Sequence, residues 1–174
     1  KTSFALSAFE PNPFLCIMFK LRITKIINQP GENITFQFEL VEGEYPRYLA
    51  GQFVSLIFQG KHKEVRRSYS FSSSPDVEEP LSITVKRVEN GEISRLLHHK
   101  TALNDILIAQ EPQGLFSYLP DENVYRDVFL FAAGVGITPL FSILKTALVR
   151  EQKSRITLVY SNRSREDALF YDEL

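Results

Sequence analysis

Arg66-Arg67-Ser68-Tyr69-Ser70-Phe71-Ser72-Ser73 gathers more usable chemistry than any stretch of similar length in this chain. In an extended strand, alternation sends Arg67, Tyr69 and Phe71 to one side and Ser68, Ser70 and Ser72 to the other. Arg67 carries a planar fork of donors that matches phosphate oxygens. Tyr69 offers a rigid flat face with a polar tip. Ser70 can donate to, or accept from, a heterocyclic nitrogen. Together they suit a ligand with a phosphate and a flat ring. An ordinary surface strand of mixed polarity is the alternative.

A second constellation follows the apolar run Asp127-Val128-Phe129-Leu130-Phe131-Ala132-Ala133. Gly134-Val135-Gly136-Ile137-Thr138-Pro139 combines two glycines with the start of a helix. Glycines permit a tight turn and close approach of a pyrophosphate, and the helix start offers free N–H groups. The usual third glycine is absent, and Pro139 stands just after its place. A purely structural turn is the competing reading. At the end of the next strand, Tyr160-Ser161-Asn162-Arg163 offers no carboxylate for a ribose 2′-hydroxyl. Ser161 and Arg163 fit a 2′-phosphate better, against a plain solvated loop. Asn90-Gly91-Glu92-Ile93-Ser94 is a third turn into a helix, able to cradle a phosphate or merely to cap. His98 and His99 suit that helix's C-terminus rather than a metal. No metal site, no Ser-His-Asp set and no supported carboxylate pair is expected.

These groups need positioning elements. Phe19–Ile27, Ile34–Leu40, Phe53–Phe58, the Arg67–Tyr69 strand, Leu81–Val88 and Asp105–Ala109 read as short strands with turn residues between them. Glu92–His99 reads as a short helix. This is the pattern of a small antiparallel barrel or sandwich. Beyond Pro120–Asn123, a polar linker, the pattern changes. Asp127–Ala133 reads as a strand buried on both faces. Leu140, Ile143, Leu144, Ala147 and Leu148 have helical spacing, with Pro139 as the first helical residue. Ile156–Tyr160 reads as a second strand and Ser164–Leu174 as a helix, giving a β-α-β-α parallel unit. The expected division is an extension over residues 1–17, a barrel over 18–120 and a partial nucleotide-binding domain over 121–174.

Composition narrows the classes. The chain is 44% hydrophobic and 24% charged with a net charge of -1, which supports a packed core and gives no nucleic-acid footprint. No apolar run is long enough for a membrane span. The single cysteine, Cys16, excludes an internal disulfide and sets a reducing, cytoplasmic compartment as the expectation. Met18 is the only methionine and marks an expected natural start, with residues 1–17 upstream of it.

In this order, the Arg67-Ser68-Tyr69-Ser70 strand, the Val85-Lys86-Arg87 strand with Gly91-x-x-Ser94, and Gly134-x-Gly136-Ile137-Thr138-Pro139 resemble the ferredoxin–NADP reductase superfamily. More narrowly they are similar to the flavin and nicotinamide modules of phenylacetyl-CoA-oxygenase-type and ring-hydroxylating oxygenase reductases. The resemblance runs from about Phe19 to the last residue. It implies a Greek-key FAD-binding antiparallel β-barrel followed by a partial α/β parallel-sheet domain for NAD(P). It implies that Arg67 contacts the flavin phosphate, Tyr69 stacks on the isoalloxazine and Ser70 bonds near its N5. Val85, Lys86 and Arg87 would line the ribityl and pyrophosphate path, and Gly91, Ile93 and Ser94 would complete the pyrophosphate cradle. Gly134, Gly136, Ile137, Thr138 and Pro139 would hold the nicotinamide dinucleotide, with Tyr69, Ser70 and Thr138 nearest the reacting rings. Ser161 and Arg163 would meet the 2′-phosphate, favouring NADPH over NADH. The Gly-x-x-Ser start favours FAD over FMN.

The implied function is transfer of electrons from NAD(P)H through FAD to an iron–sulfur or haem partner: a ferredoxin-like domain, an oxygenase or a haem protein. The rivals are a flavin-binding electron-transfer subunit that acts only when docked on a partner enzyme, without nicotinamide chemistry of its own, and a flavin-free interaction domain. Two departures stand out. Glu111-Pro112-Gln113-Gly114 replaces the family's Gly-Pro-x-Gly turn. The family's Cys-Gly motif and the cysteines of a plant-type [2Fe–2S] domain are not among these residues. They are expected beyond Leu174, in a longer protein of which this chain is a fragment with little nicotinamide turnover of its own.

Overall fold

The computed structural model describes residues 18–42, 45–60 and 63–174. The expected N-terminal extension with Cys16 lies outside them, as do Gly43 and Glu44 of one expected turn and Lys61 and His62 of one expected loop.

Six strands form the first unit: β1 (Met18–Gln29), β2 (Asn33–Glu42), β3 (Phe53–Gln59), β4 (Glu64–Ser70), β5 (Leu81–Lys86) and β6 (Ile106–Gln110). They build one antiparallel sheet in the order β4-β3-β6-β1-β2-β5. Period-two alternation is the cause: Phe19, Leu21 and Ile23 of β1 and Ile34, Phe36 and Phe38 of β2 point into one core. Gly31 (φ 66°) makes the tight β1–β2 turn with Glu32 (φ 57°). The helix α1 (Glu92–Lys100) sets Ile93 and Leu97 into the same core. His98 and His99 lie in its last turn, as expected, and His98 has a further duty. Its ring Nε2 lies 3.1 Å from the Val85 carbonyl oxygen and ties α1 back to β5.

The two edges of the sheet meet at one point. An antiparallel bridge joins Phe71 to Ile83, and the Ser72 N–H donates to the Ser82 carbonyl at 2.9 Å. This closes the sheet into the expected barrel. β4 otherwise pairs only with β3, and β5 only with β2. A seam with unpaired main-chain edges therefore runs between β4 and β5.

The second unit is β7 (Asp127–Ala133), a single 3₁₀ turn (Gly134–Gly136), α2 (Ile137–Arg150) and β8 (Arg155–Ser161). β7 and β8 are parallel, in register from Asp127–Arg155 to Ala133–Ser161. That is the expected βαβ unit, with three corrections. First, α2 starts at Ile137, so Pro139 is the third helical residue; it is still in the first turn, where no intrahelical N–H is needed. Second, β7 is covered on one face only: Leu130 is buried, while Phe129 is 59% and Phe131 70% exposed. A continuous apolar run signals a strand with two hydrophobic faces, and here only α2's side is packed. Third, Ser164–Leu174 is a series of turns, not a helix. Phe170 adopts φ 58°, which interrupts a helix, and its ring stacks on Phe141 of α2 at 4.3 Å between centroids. The Tyr160 hydroxyl accepts the Leu169 N–H at 3.1 Å and pins the segment to β8.

Ala50 of the barrel joins Leu130, Ile137, Leu140 and Ile143 in the second core. The polar stretch before β7 is strapped to the end of α2: Glu151 is buried and accepts from the Asp121 N–H (2.9 Å) and from the Arg126 guanidinium Nε (3.0 Å).

Candidate cofactor site

The seam between β4 and β5 organises the first set of residues. The Phe71–Ile83 bridge pins the two strands together at one end, so Tyr69 and Val85 each lie two residues from it and Arg67 and Arg87 each four. β4 cannot curl away from β3, because all seven of its residues are paired there, Tyr69 with Val54 and Arg67 with Leu56. The Arg67–Tyr69–Ser70 lip thus faces the Val85–Lys86–Arg87 lip, with α1 and Gly91 continuing the second lip.

The side chains on this seam are unevenly committed. Arg67 donates to its neighbour's carbonyl, Arg66 O, at 2.8 Å, and no carboxylate among the described residues pairs with it. Arg66 spends its charge on Glu64 at 2.6 Å. Tyr69 is half-buried against the barrel core. Burial pushes its phenol up to about 12, the nearby Arg67 charge opposing, so the ring is neutral at any physiological pH. No described residue takes the Ser70 hydroxyl, whereas Ser68 is used by Ser55 at 2.9 Å and Ser72 by Ser82 at 3.0 Å. A free cation, a neutral half-buried ring and a free hydroxyl fit the phosphate, ring and heteroatoms of a flavin nucleotide.

Other expected residues have structural duties. Val85 and Ile93 are core side chains, so only their main chains line the seam. Arg87 pairs with Glu32 of the β1–β2 turn, and its N–H donates to the Glu32 carbonyl at 2.9 Å. The Ser94 hydroxyl faces inward: it accepts from the Val88 N–H at 3.1 Å and lies 3.3 Å from the Gly91 carbonyl oxygen. Gly91 is glycine for that reason, since a Cβ there would stand 2.4 Å from Ser94 Oγ. Ile137 is fully buried, and the buried Thr138 donates its hydroxyl to the Val135 carbonyl at 2.8 Å, fixing the helix start.

The glycine turn opens onto a cavity of about 550 Å³. Gly134, Ser161 and Arg163 line it from the second unit and Lys86 from the barrel, so four expected residues share one space. Arg67, Tyr69, Ser70 and Ser94 are not among its walls. Gly134 has φ 48° with open space where a Cβ would project, which is what backbone approach by a ligand requires. Gly31, Glu32 and Asn33 also line it and carry no signal in the sequence, because the fold alone brings the β1–β2 turn to this place; Asn162 and Asp167 flank the expected Ser161 and Arg163.

Relatives fit this geometry. The glycine betaine monooxygenase reductase subunit of Chromohalobacter salexigens is 32% identical over 88% of this chain and 41% of its own length. The ferredoxin reductase component of the 3-ketosteroid-9-alpha-monooxygenase of Rhodococcus rhodochrous is 38% identical over 73% of this chain and 35% of its own. The chain therefore spans less than half the length of these curated relatives. The solved structure of phthalate dioxygenase reductase, described as a modular structure for electron transfer from pyridine nucleotides to [2Fe–2S], superposes with a TM-score of 0.74. That match has 25% identity and covers 90% of this chain and 47% of that one. Residues 20–118, more than half of the chain, match the oxidoreductase FAD-binding domain and residues 130–174 the oxidoreductase NAD-binding domain, so the chain belongs to the FAD- and NAD-binding oxidoreductases related to ferredoxin–NADP reductase.

Proposed function

We propose that this chain is the flavin- and nicotinamide-binding part of an oxygenase-type reductase, which draws electrons from NADPH through FAD and delivers them to an iron–sulfur or haem protein. When bound, the flavin supplies the redox chemistry, accepting a hydride from the nicotinamide and releasing single electrons. The chain supplies binding and orientation. Arg67 neutralises phosphate charge, Tyr69 gives a neutral stacking face, and Ser70 offers its free hydroxyl to the ring edge. Lys86 adds a cation at the join of the two units. The Gly134 turn and the N-terminus of α2 bind the pyrophosphate of the dinucleotide. Ser161 and Arg163 meet the 2′-phosphate. Both carboxylates lining that cavity are engaged: Glu32 pairs with Arg87, and Asp167 accepts the Ser164 hydroxyl at 3.2 Å. No side-chain general base is needed for hydride transfer.

The single observation that carries this reading is the open β4–β5 seam with an unpaired Arg67 and a free Ser70 on one lip. A buried, self-satisfied barrel has no reason to keep them. In this reading the flavin-binding unit spans 18–120 and the nicotinamide-binding unit begins at 121, which the separate matches over 20–118 and 130–174 support. Among the described residues, no helix is long and apolar enough to cross a membrane.

The test is anaerobic stopped-flow mixing of the full-length, flavin-loaded protein with NADPH and with NADH. Bleaching of the flavin, faster with NADPH, is the expected result. Bound flavin that neither nucleotide reduces would sink the proposal and leave an electron-transfer subunit. Purified protein without any flavin absorbance would sink both.

A further inference from the structure

The loop after β4 and one face of α2 meet in a polar contact, its hydroxyls buried, that cofactor binding does not use. α2 contributes Ser142, Lys145, Thr146 and Arg150, a stripe at i, i+3, i+4 and i+8. The loop contributes Ser73, Ser74, Asp76 and Glu79. The Ser142 hydroxyl donates to the Ser73 carbonyl at 2.6 Å, and the Ser74 and Thr146 hydroxyls bond at 2.7 Å. Lys145 meets Glu79 at 2.5 Å and Arg150 meets Asp76 at 2.6 Å. Glu79 also accepts the Ser74 N–H at 2.6 Å. Ser73, Ser74, Ser142 and Thr146 are all buried. From the barrel side, Ser73 Oγ is held by the Tyr48 hydroxyl and the Ser82 N–H, each at 2.9 Å.

Such a contact is a poor glue. Buried hydroxyl pairs add little net stability over apolar packing of the same shape. They do select one register, because the bonds are linked to one another and a shift breaks several at once. The location gives that register a use. Ser73 is three residues past Ser70, about 10 Å of extended chain. Ser142 is five residues past Ile137, about 7.5 Å of helix. The contact is thus a short rigid link between the Tyr69–Ser70 lip and the glycine turn. Transfer between two bound rings needs reacting atoms about 3–3.5 Å apart, and a 1 Å error costs about a hundredfold.

We propose that Ser142, Lys145 and Thr146 are positioning residues that set the spacing between a nicotinamide held at the Gly134 turn and a flavin held at Tyr69 and Ser70. This inference rests on the reductase reading.

The experiment uses the full-length, flavin-loaded protein with NADPH and its 4-deuterated form in the stopped flow. Ser142→Ala removes one bond, and Ser142→Val adds a wedge against the Ser73 carbonyl. Lys145→Met removes the charge, and Lys145→Arg restores it. The expected reduction rate at saturating NADPH falls about threefold for Ser142→Ala and at least about thirtyfold for Ser142→Val. Lys145→Met also slows it, and Lys145→Arg recovers it. Flavin content and NADPH Kd stay within about twofold of the parent, and the deuterium effect stays expressed. Variants that lose flavin or stability while each remaining flavin is reduced at the parent rate would overturn the inference. So would rates within twofold of the parent throughout, with the reductase reading left standing. A parent flavin that NADPH cannot reduce removes that reading and this inference with it.

Discussion

Tyr69 is where a single side chain can be tested most directly. Its phenol is pushed up to about 12 by burial, so it carries no charge from pH 6 to 9. Stacking, not ionisation, is its contribution, worth about 0.5–1.5 kcal/mol beyond the area covered. Tyr69→Ala should weaken flavin binding about tenfold and slow reduction, while Tyr69→Phe should behave like the parent. Flavin affinity should not titrate over that pH range. Fluorescence titration of apoprotein with FAD gives the affinities and their pH dependence, and stopped-flow mixing with NADPH gives the reduction rate; full affinity in Tyr69→Ala would remove the ring from the site. Arg163 tests cofactor choice. Its charge is exposed on the cavity wall and no described carboxylate pairs with it. Arg163→Ala should cut kcat/KM for NADPH about tenfold and leave NADH nearly unchanged. Equal losses with both nucleotides would argue for a general phosphate contact and against a 2′-phosphate contact.

At the scale of elements, the glycine turn separates binding from stability. Gly134 sits at φ 48°, and nothing lies within 4 Å of the place a Cβ would take. Gly134→Ala should therefore cost only about 1 kcal/mol in urea denaturation, the backbone penalty of that region. The new methyl would project into the space assigned to the dinucleotide, so NADPH Kd should rise at least tenfold. A variant that loses stability but keeps its affinity would show that the turn is structural. The same turn illustrates what the sequence makes legible. Period two in β1 and β2 and the helical spacing of Leu140, Ile143 and Ala147 are local signals, and the elements formed as read. Ser164–Leu174 carries a helix-like pattern, but the stacking of Phe170 on Phe141 and the Tyr160 hydroxyl on Leu169 decide otherwise. The Phe141–Phe170 stack joins residues too far apart for a local window, and the Tyr160–Leu169 bond depends on how β8 is placed, which periodicity does not report. Likewise Ser72 and Ser73 read as part of the same stretch as Arg67, Tyr69 and Ser70. The fold gives them to α2, β5 and Tyr48 instead. Arg67 and Ser70 stand out in the sequence because their types suit a ligand; Asn33 does not, because only the fold brings the start of β2 to the cavity beside the residues that follow β8.

At the scale of the whole molecule, one buried charge holds the end of α2 against the stretch that leads into β7. Glu151 has a fully buried side chain. Burial by itself raises a carboxyl, but the Arg126 guanidinium, the Asp121 N–H and the Ser154 hydroxyl outweigh it and hold Glu151 down to about 2, from an ordinary 4.5. The sign follows directly. Below 4.5 the unfolded chain binds a proton at this site and the folded chain does not, so acid favours unfolding. The contribution is complete above about pH 4.5 and disappears as pH falls toward 2. A gap of this size corresponds to about 3 kcal/mol. Glu151→Gln cannot titrate, so its urea midpoint should lie below the parent's at pH 6, and the difference should shrink between pH 4.5 and 2.5. Arg126→Met leaves the carboxylate buried without its cation and should cost about 3–5 kcal/mol at pH 6. Part of that loss should return in acid, where protonation of Glu151 relieves the bare charge. Parallel pH profiles for the parent and Glu151→Gln would mean that the ion pair does not couple folding to pH. The strap would then be held by the Asp121 N–H and Ser154 hydroxyl, bonds that a neutral amide can also accept.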